Sequence, residues 1–161
     1  MQKLFGKQAL ISTAIALSLA IAGCGPSRIS QCNQLISTIN KGSTLVNAQK
    51  DRYDATSSRH LALQLKTVAY EIQILELENK KLEDYQNQFS QFFRELSQAF
   101  SEIALALEAG HRVETNREGR QKLEEAQNQL AIAGQKANQT AEGEDTLIEE
   151  LQNYCQGTSQ F

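Results

Sequence analysis

The side chains best suited to chemistry in this 161-residue chain are two histidines and three cysteines, namely His60, His111, Cys24, Cys32 and Cys155. Glu108 stands three residues before His111, which is the Glu-x-x-His spacing that di-iron helical bundles use. A di-iron site needs a second such pair and further inward-facing carboxylates, and no acidic residue stands three positions before His60. We therefore expect no metal site and no resident cofactor.

The motifs of the common catalytic classes are missing from the sequence. It contains no Gly-rich phosphate loop and no Gly-x-Ser-x-Gly nucleophile elbow. It also offers no cysteine that would remain free beside a histidine and act as a nucleophile. We expect that the protein is not an enzyme.

The segment before Cys24 has the order of a bacterial export signal. Two lysines open it without any acidic residue, and a mostly apolar stretch over residues 9–22 follows, too short for an ordinary membrane span. Ile21, Ala22 and Gly23 then place one aliphatic and two small side chains before the thiol. This spacing resembles the bacterial lipobox. The resemblance implies that a peptidase recognises these three residues and that lipid is attached to Cys24.

On this interpretation residues 1–23 are a signal peptide, and residues 24–28 form the lipidated N-terminus and a short tether. Each buried methylene of an acyl chain adds about 0.8 kcal/mol, so two or three chains hold a protein stably at a membrane. We expect a lipid-anchored protein that faces the periplasm, the thylakoid lumen or the cell exterior.

Charge narrows the possible partners. Removal of residues 1–23 takes away two lysines and changes the formal net charge from −3 to −5. A mildly acidic chain without clustered Lys and Arg argues against nucleic acid. We expect the partners to be the membrane, through the lipid, and another extracytoplasmic protein.

Apolar residues recur at helical spacing along the mature chain, and proline occurs once. The pattern predicts helices over residues 27–50 and 112–155, with a polar turn at 51–58 and a long apolar stripe from Leu61 to Leu107. Gly110 marks the end of that stripe. The fold class is therefore expected to be all α.

Two positions decide how many helices form. Asn79 interrupts the long stripe and can cap a new helix there. Gly143 weakens the last helix, and a turn at residues 142–145 with a short terminal helix is an alternative to one continuous helix.

The cysteines favour one architecture. If Cys24 carries lipid, Cys32 and Cys155 remain as an even pair in an exported chain, and we expect them to form a disulfide. A disulfide needs Cα atoms within about 7 Å, which requires an even number of helical passes. We predict an up-down four-helix bundle over residues 29–156 with a tail at 157–161, and the alternative is a three-helix antiparallel coiled coil.

Several remaining side chains have two interpretations. Phe92 and Phe93 are adjacent and cannot both face one seam, so either one is exposed as a protein-binding spot or a four-helix core encloses both. Acidic clusters near Glu83 and Glu144 are typical of solvated faces and helix starts, with weak binding of a divalent cation as the alternative.

Three segments carry a family resemblance, namely Ser30–Ile36, Tyr85-Gln86 and Asn153–Gln156. In these segments the chain resembles a group of uncharacterised predicted lipoproteins from cyanobacteria, which implies a helical lipoprotein without implying a reaction. In size, anchor and fold class it is also similar to the lipidated four-helix extrinsic subunits of photosystem II, although no residue motif supports that similarity.

The function predicted from the sequence is a membrane-anchored, non-catalytic binding or scaffold module. One alternative is an accessory extrinsic subunit of a photosynthetic membrane complex. The other is a metal-binding helical bundle built on Glu108 and His111.

Overall fold

The computed structural model describes residues 26–49 and 54–157. In these ranges the chain forms four α-helices and no strand: α1 (Arg28–Gln49), α2 (Ala55–Gln73), α3 (Lys80–His111) and α4 (Arg117–Gln156). The predicted all-α four-helix fold is confirmed. No helix in the described ranges is long and apolar enough to cross a membrane. The predicted signal peptide and Cys24 lie outside the described residues.

Short polar side chains define where three of the helices begin. Asp54, Asn79 and Asn116 are the N-cap residues of α2, α3 and α4. In α3 the Asn79 side-chain oxygen accepts a hydrogen bond from the backbone N–H of Leu82 at 3.1 Å. An N-cap side chain satisfies a backbone donor that the first turn leaves without an intrahelical partner. The predicted break at Asn79 is therefore confirmed.

The last helix was predicted either to be continuous or to be interrupted by a turn at residues 142–145, and it is continuous. The last helix begins at Arg117 and runs without interruption through Gly143 to Gln156, so the turn at residues 142–145 is absent. A mid-helix glycine costs only about 1 kcal/mol relative to alanine. Leu147 and Leu151 beyond it pack against the core, and this packing keeps the helix continuous.

Neighbouring helices are antiparallel. On α3, Ser90 donates a hydrogen bond to the carbonyl of Ala69 on α2, and Ser97 donates to the carbonyl of Ala62. Residue numbers therefore increase along α3 in the direction in which they decrease along α2. Side-chain hydrogen bonds from Tyr154 to Asn79 and from Lys136 to Glu102 show that α3 and α4 are antiparallel as well. The chain therefore passes up and down four times. The helices differ in length, with 22 and 19 residues in α1 and α2 against 32 and 40 in α3 and α4.

The core is richest in aromatic side chains where all four helices run together. Phe92 and Phe93 are 7% and 0% exposed, so the four-helix core encloses both rings. The two ring centroids are 4.9 Å apart in an edge-to-face arrangement, which aromatic quadrupoles favour. Gly42 on α1 lies directly against the Phe93 ring, and a Cβ atom at this position would collide with it. The glycine thus permits α1 to approach α3 closely.

Cys32 in the second turn of α1 and Cys155 near the end of α4 form the predicted disulfide. Their Cα atoms are 5.9 Å apart and their sequence separation is 123 residues. The bridge joins the two ends of the bundle domain, as the four-pass arrangement requires.

We expect the Cys32→Ser/Cys155→Ser double variant to lose about 5 kcal/mol of unfolding free energy, because it releases a closed loop of more than 100 residues in the unfolded state. Urea titration followed by circular dichroism measures this difference. The parent in reducing buffer should match the double variant in oxidising buffer. Equal unfolding free energies for parent and variant under oxidising conditions would contradict the prediction.

Candidate functional site

The end of the bundle that holds the disulfide also holds the segment that follows Cys24. Gln31 is almost completely buried there. Its side-chain Nε2 donates to the carbonyl of Pro26 at 2.7 Å, and its Oε1 accepts from the backbone N–H groups of Glu78 and Asn79 at 2.8 and 3.1 Å. One side chain therefore attaches the N-terminal segment to the connection between α2 and α3.

Tyr154 closes the same end from α4. Its hydroxyl donates to the side-chain oxygen of Asn79 at 2.9 Å. The Arg28 guanidinium carbon lies 4.9 Å from the centre of the Tyr154 ring, and the Tyr85 ring centre is 6.1 Å away. Both are within the range of cation–π and aromatic pair interactions. The first and last helices are thus held together by ring contacts as well as by the disulfide.

Gln86 on α3 satisfies the last turn of α2. Its side-chain Nε2 lies within hydrogen-bonding distance of the carbonyls of Ile72, Gln73 and Leu75, at 2.8, 3.2 and 2.8 Å. A helix C-terminus leaves carbonyls without intrahelical partners, and burial without partners would be costly. Gln86 is a polar interruption of the apolar stripe, and that interruption is the sequence signal for its role. Gln31 carries no comparable signal.

The Glu-x-x-His pair is not part of a ligand set in the described part of the chain. Glu108 forms ion pairs with Arg59 on α2 and with Arg112 beyond the end of α3. His111 and His60 are both exposed. Across residues 26–49 and 54–157 no group of three His, Cys, Asp or Glu side chains is placed to hold a metal ion.

The acidic residues near the C-terminus have different environments in the folded protein. Glu144 is half-buried and faces α1, where the Ser43 hydroxyl donates to its carboxylate at 3.0 Å, whereas Glu142 and Asp145 are exposed. Burial raises the pKa of Glu144, with the Asp145 charge adding to this effect and the Ser43 hydrogen bond opposing it. The other acidic cluster, at residues 76–84, consists of exposed side chains.

An exposed apolar stripe lies on the outer face of α2. It consists of Leu63, Tyr70 and the C-cap residue Ile74, which are 60%, 62% and 55% exposed. Their spacing of seven and four residues places them on one side of the helix, over about 17 Å. We call these three residues the α2 stripe. The apolar periodicity of the sequence predicted only the core face of α2, whereas Leu63, Tyr70 and Ile74 at helical spacing indicate a second, exposed apolar face.

Cations border the α2 stripe. Arg59 and Lys66 are both exposed and seven residues apart, so they share one flank of the stripe. On the described part of α2 the only acidic side chain is Glu71, which pairs with Lys41 of α1 at 2.9 Å. The outer face of α2 therefore combines an apolar centre with a basic edge, in which Arg59 is paired with Glu108 of α3, in a chain of net negative charge.

Comparisons of the chain with protein-family models, with curated proteins and with solved structures return no match. The resemblance to cyanobacterial lipoproteins therefore stays a prediction. The three segments on which it depends do meet in space, because Gln31, Cys32, Gln86, Tyr154 and Cys155 all lie at the disulfide-linked end.

We predict that Gln31→Leu lowers the unfolding free energy by about 2 kcal/mol, because two backbone N–H groups lose their acceptor in a partly buried position. Gln34→Leu is the matched control, since Gln34 is an exposed glutamine on the same helix. Its effect should stay within about 0.5 kcal/mol. Urea unfolding of both variants provides the measurement, and equal effects would refute the role of Gln31.

We further predict a pH-dependent effect of Glu144→Gln. Because the folded-state pKa of Glu144 is raised, ionisation opposes folding, and this cost grows as pH rises from the ordinary glutamate pKa through the raised value. The variant should therefore be more stable than the parent at about pH 7 and similar to it at about pH 3. Chemical unfolding at both pH values tests this, with Glu142→Gln as the exposed control. A stability difference that did not change with pH would contradict the prediction.

Proposed function

We propose that this protein is a lipid-anchored extracytoplasmic lipoprotein that acts as a non-catalytic binding module, and that the α2 stripe contacts another extracytoplasmic protein. The observation that carries the proposal is the α2 stripe itself, three large apolar side chains that are each more than half exposed on one helix face. Contiguous exposed apolar surface is typical of protein interaction sites.

The anchor would fix how the bundle stands on the membrane. Cys24 precedes Pro26 by two residues, a covalent distance of at most about 7 Å. Pro26 is held by Gln31 at the disulfide-linked end, so lipid on Cys24 would bring this end to the membrane. From there α3 extends for about 48 Å toward the opposite end. A disulfide between Cys32 and Cys155 also agrees with export to an oxidising compartment.

This orientation would present the α2 stripe sideways. α2 begins far from the anchored end and returns to it at Gln73, because the α2–α3 connection contacts Gln31. A partner held at the same membrane could therefore pack against α2 from the side. The binding of two proteins at one membrane raises their effective concentration for each other.

The charges beside the stripe favour one kind of partner. Lys66 and Arg59 form the basic edge, in which Arg59 is already paired with Glu108 of α3, and interface charges are arranged so that opposite signs meet. We infer that the partner presents an amphipathic helix with acidic side chains along one flank. A second copy of this chain fits less well, because an antiparallel two-fold pairing of α2 would place the two basic edges against each other.

The lipid anchor and the α2 stripe are tested by labelling and crosslinking of the full chain in host membranes. The anchor is tested first, by labelling cells with an alkyne-bearing palmitate. The parent chain should incorporate the label, and Cys24→Ser should not, because its hydroxyl cannot replace the thiol. Intact mass should also give a lipidated Cys24 and a reducible Cys32–Cys155 bridge. Labelling of Cys24→Ser equal to that of the parent would refute the anchor.

The α2 stripe is then tested with a photo-crosslinking residue at Thr67, which is exposed beside Leu63 and Tyr70. We expect an adduct whose crosslinked peptide has an acidic, heptad-like sequence and whose yield falls at high salt. Tyr70→Glu should reduce the yield about tenfold or more, since it removes an aromatic anchor and adds a repelling charge beside an acidic partner. Leu105→Glu is the matched control, because Leu105 is equally exposed but lies on α3. Equal losses in both variants would contradict docking through α2.

A further inference from the structure

A partly enclosed cavity of about 480 Å³ lies between all four helices, where α1 ends and α2 begins. This volume is within the range of small-molecule sites in proteins. Its walls are mostly apolar and include the side chains of Val46, Leu61, Phe100, Ile103, Leu107 and Leu130.

One polar atom in the cavity lacks a partner. The side-chain oxygen Oε1 of Gln49 is buried and, among the described residues, accepts no hydrogen bond. Gln49 is also one of the residues that line the cavity. A buried acceptor without a donor costs about 1–3 kcal/mol, so a donor supplied by a ligand would recover free energy that the empty protein loses.

A glycine keeps the cavity open on the α4 side. Gly134 lines the cavity in the middle of α4, and a Cβ atom built at this position meets no atom within 4 Å. Its φ lies outside the positive range, so the backbone itself does not require glycine. Alanine would favour the helix by about 1 kcal/mol. The glycine therefore costs helix stability and leaves space.

The lining restricts the charge of an occupant. No Asp, Glu, Lys, Arg or His is among the described residues that line the cavity. Ser57, one of the polar side chains at its edge, already donates to Asp54 at 2.6 Å. An ionised amine or carboxylate would lose its hydration in the cavity without gaining a counter-charge from these described residues, which is costly. The described walls and Gln49 Oε1 suit an occupant that is mostly apolar and donates one hydrogen bond.

We propose that this cavity binds an aliphatic alcohol, with the hydroxyl donating to Gln49 Oε1 and the hydrocarbon part packed against the apolar walls. A hydroxyl is the donor that stays uncharged at neutral pH and ends an otherwise apolar molecule. The protein's own anchor does not fit this role. Gln49 is at the far end of α1, about 32 Å from Arg28, and an acyl chain carries no donor at its end.

The test uses the mature chain with Cys24→Ser, which keeps every core residue and lacks acyl groups. Two isomeric probes, n-octanol and dibutyl ether, have the same composition, but only the alcohol donates a hydrogen bond. In isothermal titration calorimetry we expect one octanol per chain, bound about fivefold more tightly than the ether. Octanoate should bind more weakly than octanol because it is charged. Equal affinities for octanol and the ether, or an absence of octanol binding, would overturn the proposal.

Two variants locate the site. Gly134→Leu should fill the cavity and weaken octanol binding about tenfold or more, whereas Gly143→Leu should bind within about twofold of the parent. Gly143 is the matched control because it is also in α4, also opens onto free space, and does not line the cavity. Unchanged octanol binding by Gly134→Leu would place the ligand elsewhere.

Gln49→Leu provides an independent test that does not depend on filling the cavity. Leucine has one side-chain heavy atom fewer than glutamine and removes the acceptor, so this variant should bind octanol and the ether equally. A retained preference for octanol in a folded Gln49→Leu protein would refute the role of the amide oxygen. Circular dichroism of each variant establishes that it is folded.

Discussion

The covalent link between the second turn of α1 and the last turns of α4 is the constraint on which the rest of the structure depends. Because Cys32 and Cys155 must come within bonding distance, the chain has to return to its starting end after its last pass. The break of the long central stripe at Asn79 lets α3 run away from this end and α4 return to it. The helix cap and the disulfide lie at the same end of the domain and support the same topology.

Two buried glutamines, Gln31 and Gln86, lie near the disulfide-linked end. Gln31 provides an acceptor for the backbone N–H groups of Glu78 and Asn79, and Gln86 donates to the carbonyl of Leu75 in the α2–α3 connection. Buried amides stabilise a fold only when their partners have correct geometry, so both side chains depend on the register of the helices around them. The polar contacts at this end therefore depend on the positions of α1, α2 and α3 relative to one another.

At the opposite end only two of the described helices remain, because α3 and α4 extend beyond α1 and α2. The core there passes from phenylalanine to small side chains on α4, such as Ala133 and Ala137. Small side chains pack two helices closely, but they do not fill the space between four. The cavity beside Gln49 and Gly134 lies at this transition, where a four-helix core gives way to a helical hairpin.

The sequence by itself determined the helical class, the cap at Asn79, the pairing of Cys32 with Cys155 and therefore the number of passes. These features depend on local propensity, on periodicity and on the parity of the cysteines, all of which can be read along one chain. Only the tertiary structure decided four other features. These are the continuity of α4 through Gly143, the burial of both Phe92 and Phe93, the role of Gln31 and the exposure of the α2 stripe. Each depends on which helix lies opposite a given face and at what distance, and no local pattern contains that information.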